Sequence, residues 1–494
     1  MSSITKYYDL EGIVQIMVSG LNFWDAEIWS FVITITILLV GMILANTLRQ
    51  LIKPLRQLMI PSSVLGGFLI LFVDFIFKKI TGSSMFLTST LEALTYHGLG
   101  LGFVAMSMKS VGKQKDKNRQ KDIFNTGLTT VSSYLLQGII GLAITIGLSY
   151  VMNNFFAAGL LTPMGYGQGP GQAYNWGHNY EVNYGFENGT SFGLAVAAMG
   201  FVSASIGGVI YLNILKRKGR YHGDMGQNIK DENLTAEIIT GHNEIPLSES
   251  MDKMTVQIAL VFIGYIMAYG FMAGINAMVE AGWLGDFGYK TVQPLIWGFN
   301  FLFGTVFAIV LKLILKGLQK SGLMQREYRN DFMQSRIAGF MFDMMVVASI
   351  AAIDLSAFKI KEFIVPLSLI CIIAGVITYI HMSIVCKKLF PHYADEAWLT
   401  MYGMLTGTAS TGIILLREID PRFETPAATN LVFQQLWAIV FGFPLLLLLA
   451  VAPQSRNHAW ITLIILTVMF VIINIICFRD FIFKKGKTKK SSQR

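Results

Sequence analysis

Two stretches of this sequence concentrate residues that release the backbone from regular structure. The first carries glycine at 165, 167, 169, 171 and 177, with Pro170 in its middle. The second runs from Gly403 to Gly412 and is dense in hydroxyls, with Thr406, Gly407, Thr408, Ala409, Ser410 and Thr411 in succession. Glycine admits tight dihedrals and close approach of a ligand. Freed amides then suit anions, and freed carbonyls suit cations. Gly167, Gln168, Gly169, Gly171 and Gln172 are therefore candidate substrate contacts, joined by the hydroxyls of Thr408, Ser410 and Thr411. Thr406, Gly407 and Thr408 supply the oxygens that a hard cation such as sodium prefers. Arg417 carries a fork that can clasp a carboxylate in two hydrogen bonds.

Each of these has a plainer reading. The first stretch can be an external loop of turns, and the second can be close helix packing through small residues. Arg417 can pair with Glu418 or Asp420. Neither stretch is a nucleotide motif. No strand precedes the first, and neither ends in Gly-Lys-Ser/Thr. Four acids fall in or beside apolar segments: Asp74, Glu92, Asp343 and Asp354. Asp74 and Asp354 lie near segment ends, whereas Asp343 sits inside one and is the candidate for a cation or proton role. His97 and His381 read as hydrogen-bonded packing histidines. No nucleophilic triad, paired carboxylates or metal-ligand spacing is present, so the expectation is no enzyme, no cofactor and no resident metal.

The elements that would position these residues follow from composition. Of 494 residues, 53% are hydrophobic and 14% charged, and the mean hydropathy is +0.54. A soluble chain of this size would carry about 25% charged residues. A disordered chain and an ordinary soluble enzyme are both excluded. The pattern predicts an all-α polytopic membrane protein with eleven spans at 28–46, 60–77, 86–108, 123–152, 188–214, 255–280, 294–315, 337–356, 363–386, 425–452 and 459–478. The Gly-rich stretches, bounded at 160–180 and 398–416, are too polar and too broken to span. With the amino terminus outside, 32 of the 39 lysines and arginines fall inside, which supports that orientation and a cytoplasmic carboxyl terminus. Basic runs between apolar segments argue against a nucleic-acid partner. The three cysteines, Cys371, Cys386 and Cys477, form no disulfide framework.

Residues 1–27 precede the first span and do not look like a signal peptide. Residues 28–214 and 255–452 each hold four spans, a Gly-rich interruption and a fifth span, joined by a polar cytoplasmic linker at 215–254. An odd number of spans per half makes the second half enter from the opposite side, which is the mark of inverted-topology repeats, each with a re-entrant loop. The tips of the two loops would then meet near the midplane. Residues 453–494 add one more span and a basic tail.

At this point the chain resembles the bacterial sodium/glutamate symporters. Ile60-Pro61-Ser62-Ser63-Val64-Leu65-Gly66-Gly67 is similar to that family's Ile-Pro-x-x-Val-x-Gly-Gly helix start. Gly167 to Ala173 sits where the family has Gly-His-Gly-Thr-Gly-Ala-Ala. Tyr184-Gly185-Phe186, followed by Asn188-Gly189-Thr190, resembles its Tyr-Gly-Phe-Thr-Asn stretch. Gly407 to Gly412 sits where the family has Gly-Ala-Thr-Pro-Thr-Ala. Gln168 stands in place of the family's His, Pro170 of its Thr, Ser410 of its Pro and Arg417 of its Gln. The resemblance implies import of glutamate or a related dicarboxylate with sodium as coupling ion across the bacterial inner membrane. It also implies a homodimer working as an elevator, whose moving part contains both Gly-rich loops. The alternative is a proton-coupled transporter or an antiporter of another organic anion, in which Asp343 would titrate.

Overall fold

The computed structural model describes residues 26–109, 117–221, 252–285, 288–324, 326–421 and 424–482. The segment before the first span, most of the linker and most of the basic tail lie outside the described residues. Among those described, the protein is helical, with no β-strand. The helices are α1 (Ala26–Leu51), α2 (Lys53–Gln57), α3 (Ser62–Thr81), α4 (Thr88–Met108), α5 (Lys117–Leu148), α6 (Pro170–Tyr184), α7 (Gly189–Arg217) and α8 (Lys253–Glu280). They continue with α9 (Gln293–Gly298), α10 (Asn300–Lys320), α11 (Asp331–Ala351), α12 (Lys361–Leu389), α13 (Ala394–Thr406), α14 (Ala409–Arg417), α15 (Ala427–Phe433), α16 (Gln435–Val451) and α17 (Arg456–Cys477).

Local chemistry marks several helix ends. Asp252 caps α8 by accepting from the amides of Met254 and Thr255. Asn330 caps α11 through the Met333 amide, and Ser455 caps α17 through the His458 amide. Gly82 closes α3 in the left-handed conformation at φ 83°.

Eight helices among the described residues are long and apolar enough to cross a membrane: α1, α5, α7, α8, α10, α12, α16 and α17. The other three expected spans form helices of 20 or 21 residues but fall short in composition. α3 carries Asp74, Lys78 and Lys79; α11 carries Asp331, Arg336 and Asp343; α4 is diluted by glycine and hydroxyls. One expected span is interrupted. The span at 294–315 breaks at Phe299, whose backbone leaves the helix at φ −104° and ψ 25°; the next side chain, Asn300, donates to the Tyr96 carbonyl at 3.0 Å. The span at 425–452 runs on through Gln434, which joins α15 to α16 at helical φ −67° and ψ −19°, with its amide on the Asn430 carbonyl at 2.9 Å and its carbonyl accepting from Ala438 at 3.0 Å.

The packing divides the helices into two groups, and contacts in one half of the chain have a counterpart in the other. α1 packs on α3 as α8 packs on α10. α3 packs on α11 as α10 packs on α4. α5 packs on α16 as α12 packs on α7. α4 meets α11, and α5 meets α12. α17 lies along α5. Asn474 donates to Ser132 at 2.9 Å, and Arg456 donates to the Ser149 carbonyl at 2.9 Å. The group of α1, α3, α4, α8, α10 and α11 meets the group of α5, α7, α12, α13, α14, α16 and α17 largely through α6, which leans on α4, α9 and α11.

Candidate functional site

The Gly-rich stretches are mostly helical, which corrects their reading as loops. Residues 163–167 form one wide π turn, the chain breaks only at Gln168 and Gly169, and α6 then runs for 15 residues. The second stretch is α13, a break at Gly407 and Thr408, and α14. Most of the glycines serve packing rather than turning. A Cβ on Gly171 would lie 2.7 Å from Leu99 Cδ1 and 2.8 Å from Met345 Sδ, so α6 can sit on α4 and α11 only without it. Gly169 is different. Its φ of 88° and ψ of −177° belong to a region essentially reserved for glycine.

The two breaks touch. A Cβ on Gly169 would stand 3.3 Å from Thr408 Cγ2 and 3.9 Å from the Gly407 carbonyl oxygen. Three helix ends therefore converge. The amino termini of α6 and α14 bring unpaired amides and the positive ends of their dipoles. The carboxyl terminus of α13 brings carbonyls. The α5 helix holds both breaks from two positions one turn apart. Tyr134 Oη donates to the Gly167 carbonyl at 3.0 Å. Gln137 Nε2 donates to the Leu405 carbonyl at 2.9 Å and to Thr378 Oγ1 at 3.0 Å. Tyr166 anchors the first break from below, donating to the Cys371 carbonyl at 2.7 Å, with Ser203 Oγ at 2.8 Å. The α13 arm is held by rings. Trp398 stacks on Tyr211 at 3.8 Å and on Tyr402 at 4.6 Å, and Tyr402 Oη donates to the Ser203 carbonyl at 3.1 Å.

The residues singled out from sequence divide by place. Gly167, Gln168, Gly169, Gly171 and Gln172 lie at or just past the first break. Thr406, Gly407, Thr408 and Thr411 lie at the second. Gln172 is 1% exposed, and neither atom of its amide has a hydrogen-bond partner. Thr408 and Thr411 oppose their hydroxyls at 3.4 Å. The Thr406 hydroxyl is occupied as a donor to the Tyr402 carbonyl at 2.7 Å, leaving its lone pairs for a ligand. Ser410 is exposed.

Arg417 and Asp343 are not brought to the breaks. Arg417 ends α14, eight residues from Ala409, and the helical rise places its backbone about 12 Å away. Asp343 is exposed beside Ser63 of α3. Met345, two positions on and therefore about 200° around the helix, is the residue of α11 that meets Gly171. His97 and His381 hold the hydrogen bonds expected of them, to Tyr265 at 3.0 Å and Ser132 at 3.1 Å. Asp74 accepts from Ser84 and from the Met85 amide. Tyr134 and Gln137 were not singled out. Their signal is two long polar side chains three residues apart, in a span whose neighbouring polar residues are short hydroxyls such as Thr129, Thr130, Ser132 and Ser133.

With this geometry in hand, a family model described as sodium/glutamate symporter matches residues 26–286. The chain belongs to that family. The match covers α1 to α8 and the whole of the first break, and it stops short of the second. No curated protein and no solved structure matches the chain. As a sodium/glutamate symporter family member, the protein is a multi-pass membrane protein of a transporter family.

Proposed function

We propose that the protein is a sodium-coupled symporter for glutamate or a related acidic amino acid or dicarboxylate, with its cargo held where the two helix breaks meet. The carrying observation is the close approach of the two breaks, so tight that a Cβ on Gly169 would stand 3.3 Å from Thr408 Cγ2, which joins two helix amino termini to one carboxyl terminus. Amides of α6 and α14 would hold a carboxylate, together with the unpaired Gln172 amide. Carbonyls and hydroxyls of Thr406, Gly407, Thr408 and Thr411 would hold sodium. Arg417 and Asp343 stay outside this site.

The same reading takes the chain as eleven spans in the inner membrane of a bacterium, with the amino terminus outside and the carboxyl terminus inside. α4 and α11 cross as the inner members of their group, flanked by α1, α3, α8 and α10. Residues 28–214 and 255–452 are inverted repeats, supported by the exchange of packing partners between halves. The group containing both breaks would move past the other as an elevator, in a homodimer. Coupling follows if the loaded, sodium-bound state is the one that crosses.

The test is uptake of radiolabelled L-glutamate by proteoliposomes under an inward sodium gradient, against an equal potassium gradient. Sodium-dependent accumulation is expected. Absence of sodium-driven uptake for glutamate and for a panel of other dicarboxylates would overturn the reading.

A further inference from the structure

A cavity of about 560 Å³ lies between α4, α6 and α9, at the end of the bundle that carries the start of α4 and the end of α6. Its wall includes Glu92, Tyr96, Tyr174, Asn175, Asn179 and Trp297. Among the described residues that line it there is no lysine or arginine; His178 is its one basic side chain. It is distinct from the break site, because Asn175 and Asn179 lie two and three turns along α6 from Gly169.

The unpaired atoms of this wall are mostly acceptors. Asn175 is 6% exposed, and its Nδ2 is committed to the Gly298 carbonyl at 3.2 Å, so its Oδ1 faces no donor. Asn179 Oδ1, one turn further along the same helix face, is buried and also unpaired. Glu92 is half-buried; among the described residues it has no hydrogen bond or ion pair, and His178 and Glu181 are the titratable side chains near it. Trp176 Nε1 is the one unpaired donor among these buried atoms. Tyr96 Oη donates to the Trp297 carbonyl at 2.8 Å and closes the wall with aromatic surface. Buried acceptors without donors are costly and mark places where an ion or water belongs. A carboxylate, amide oxygens and ring faces together favour a cation over an anion.

We propose that this cavity is a capture site for a monovalent cation, either sodium itself or the primary ammonium group of an amino acid, with Glu92 and Asn175 Oδ1 as its principal ligands. The proposal rests on the symport reading only for which cations are on offer, and its test reads binding rather than uptake.

Trp176 and Trp297 border the cavity, so tryptophan fluorescence of the purified full chain in nanodiscs reports on it. Sodium chloride and methylammonium chloride are titrated separately at constant ionic strength, with the large cation N-methylglucamine as replacement. A saturable response to one or both is expected, and the responding cation identifies the source. Glu92→Gln should raise the half-saturating concentration about tenfold, and Asn175→Ala several-fold, with Glu92→Asp recovering part of the loss. Glu92 is half-exposed, so the Gln variant should keep its melting temperature even if Asn175→Ala does not. No response to either cation, or half-saturation unchanged in Glu92→Gln, would overturn the proposal whether or not the protein transports glutamate.

Discussion

Replacing Gly169 with alanine should damage both stability and transport, and the structure sets the scale. At φ 88° and ψ −177° an L-residue is strained by about 1–3 kcal/mol. The new methyl would also lie 3.3 Å from Thr408 Cγ2, inside the roughly 3.5–4.0 Å optimum for carbon contacts. Either the two breaks part by a few tenths of an ångström or the backbone leaves its conformation. About 1.4 kcal/mol corresponds to tenfold in an equilibrium, so a site that depends on this approach should lose about tenfold or more in apparent affinity. The assay pairs thermal melts with initial uptake rates across a range of substrate concentrations. Adding Thr408→Ser removes Cγ2, and the double variant should recover the contact portion of the loss but not the backbone strain. Wild-type melting and uptake within twofold for Gly169→Ala would refute the claim that the geometry of the break matters.

Three further outcomes follow from particular contacts. Tyr166→Phe strips the Cys371 carbonyl and Ser203 Oγ of a buried partner and should cost about 1–3 kcal/mol, read as a lower melting temperature. Arg417→Gln should leave the KM for uptake within about threefold of wild type, because α14 holds the side chain's backbone a helix length from the break; a loss of a hundredfold would restore it as a substrate ligand. Asp354 lies outside the helices. Burial works against its carboxylate, but hydrogen bonds from the Ser356 hydroxyl and amide, with Lys78 nearby, outweigh burial and hold its pKa below the ordinary value. A depressed native pKa contributes stability that is present above the unfolded pKa and lost as pH falls through the native one. Melts taken from pH 7 down to pH 3 should therefore fall less steeply at the acid end in Asp354→Asn than in wild type.

Much of the fold was legible because it rests on local chemistry. Apolar runs of about 20 residues mark spans, and clusters of glycine with Pro170 mark where backbone order changes. Where the reading needed correction, the cause lay in packing. Gly171 and Gly177 looked like turn residues but sit inside α6, because a neighbouring element comes too close for a Cβ. The break at Phe299 is invisible in an apolar run, and the Asn300 donation to the Tyr96 carbonyl beside it exists only because α4 stands nearby.

By itself, the sequence determined that this is a helical membrane protein, where its long segments lie, and which two stretches break regular structure. These are consequences of hydropathy and of backbone freedom, which each residue carries with it. Only the tertiary structure decided which of those residues share a site. Gly169 and Thr408 are 239 positions apart, and no local preference relates them. Tyr134 and Gln137 acquire a purpose only because α5 passes both breaks, whereas Arg417 lies at the remote end of its helix. Glu92 and Asn175 became a pair of interest only when α4 and α6 enclosed a cavity lined by both, with Asn175 Oδ1 unpaired. Contacts of this kind arise from long-range packing, where the free energy depends on what surrounds a side chain rather than on the side chain alone.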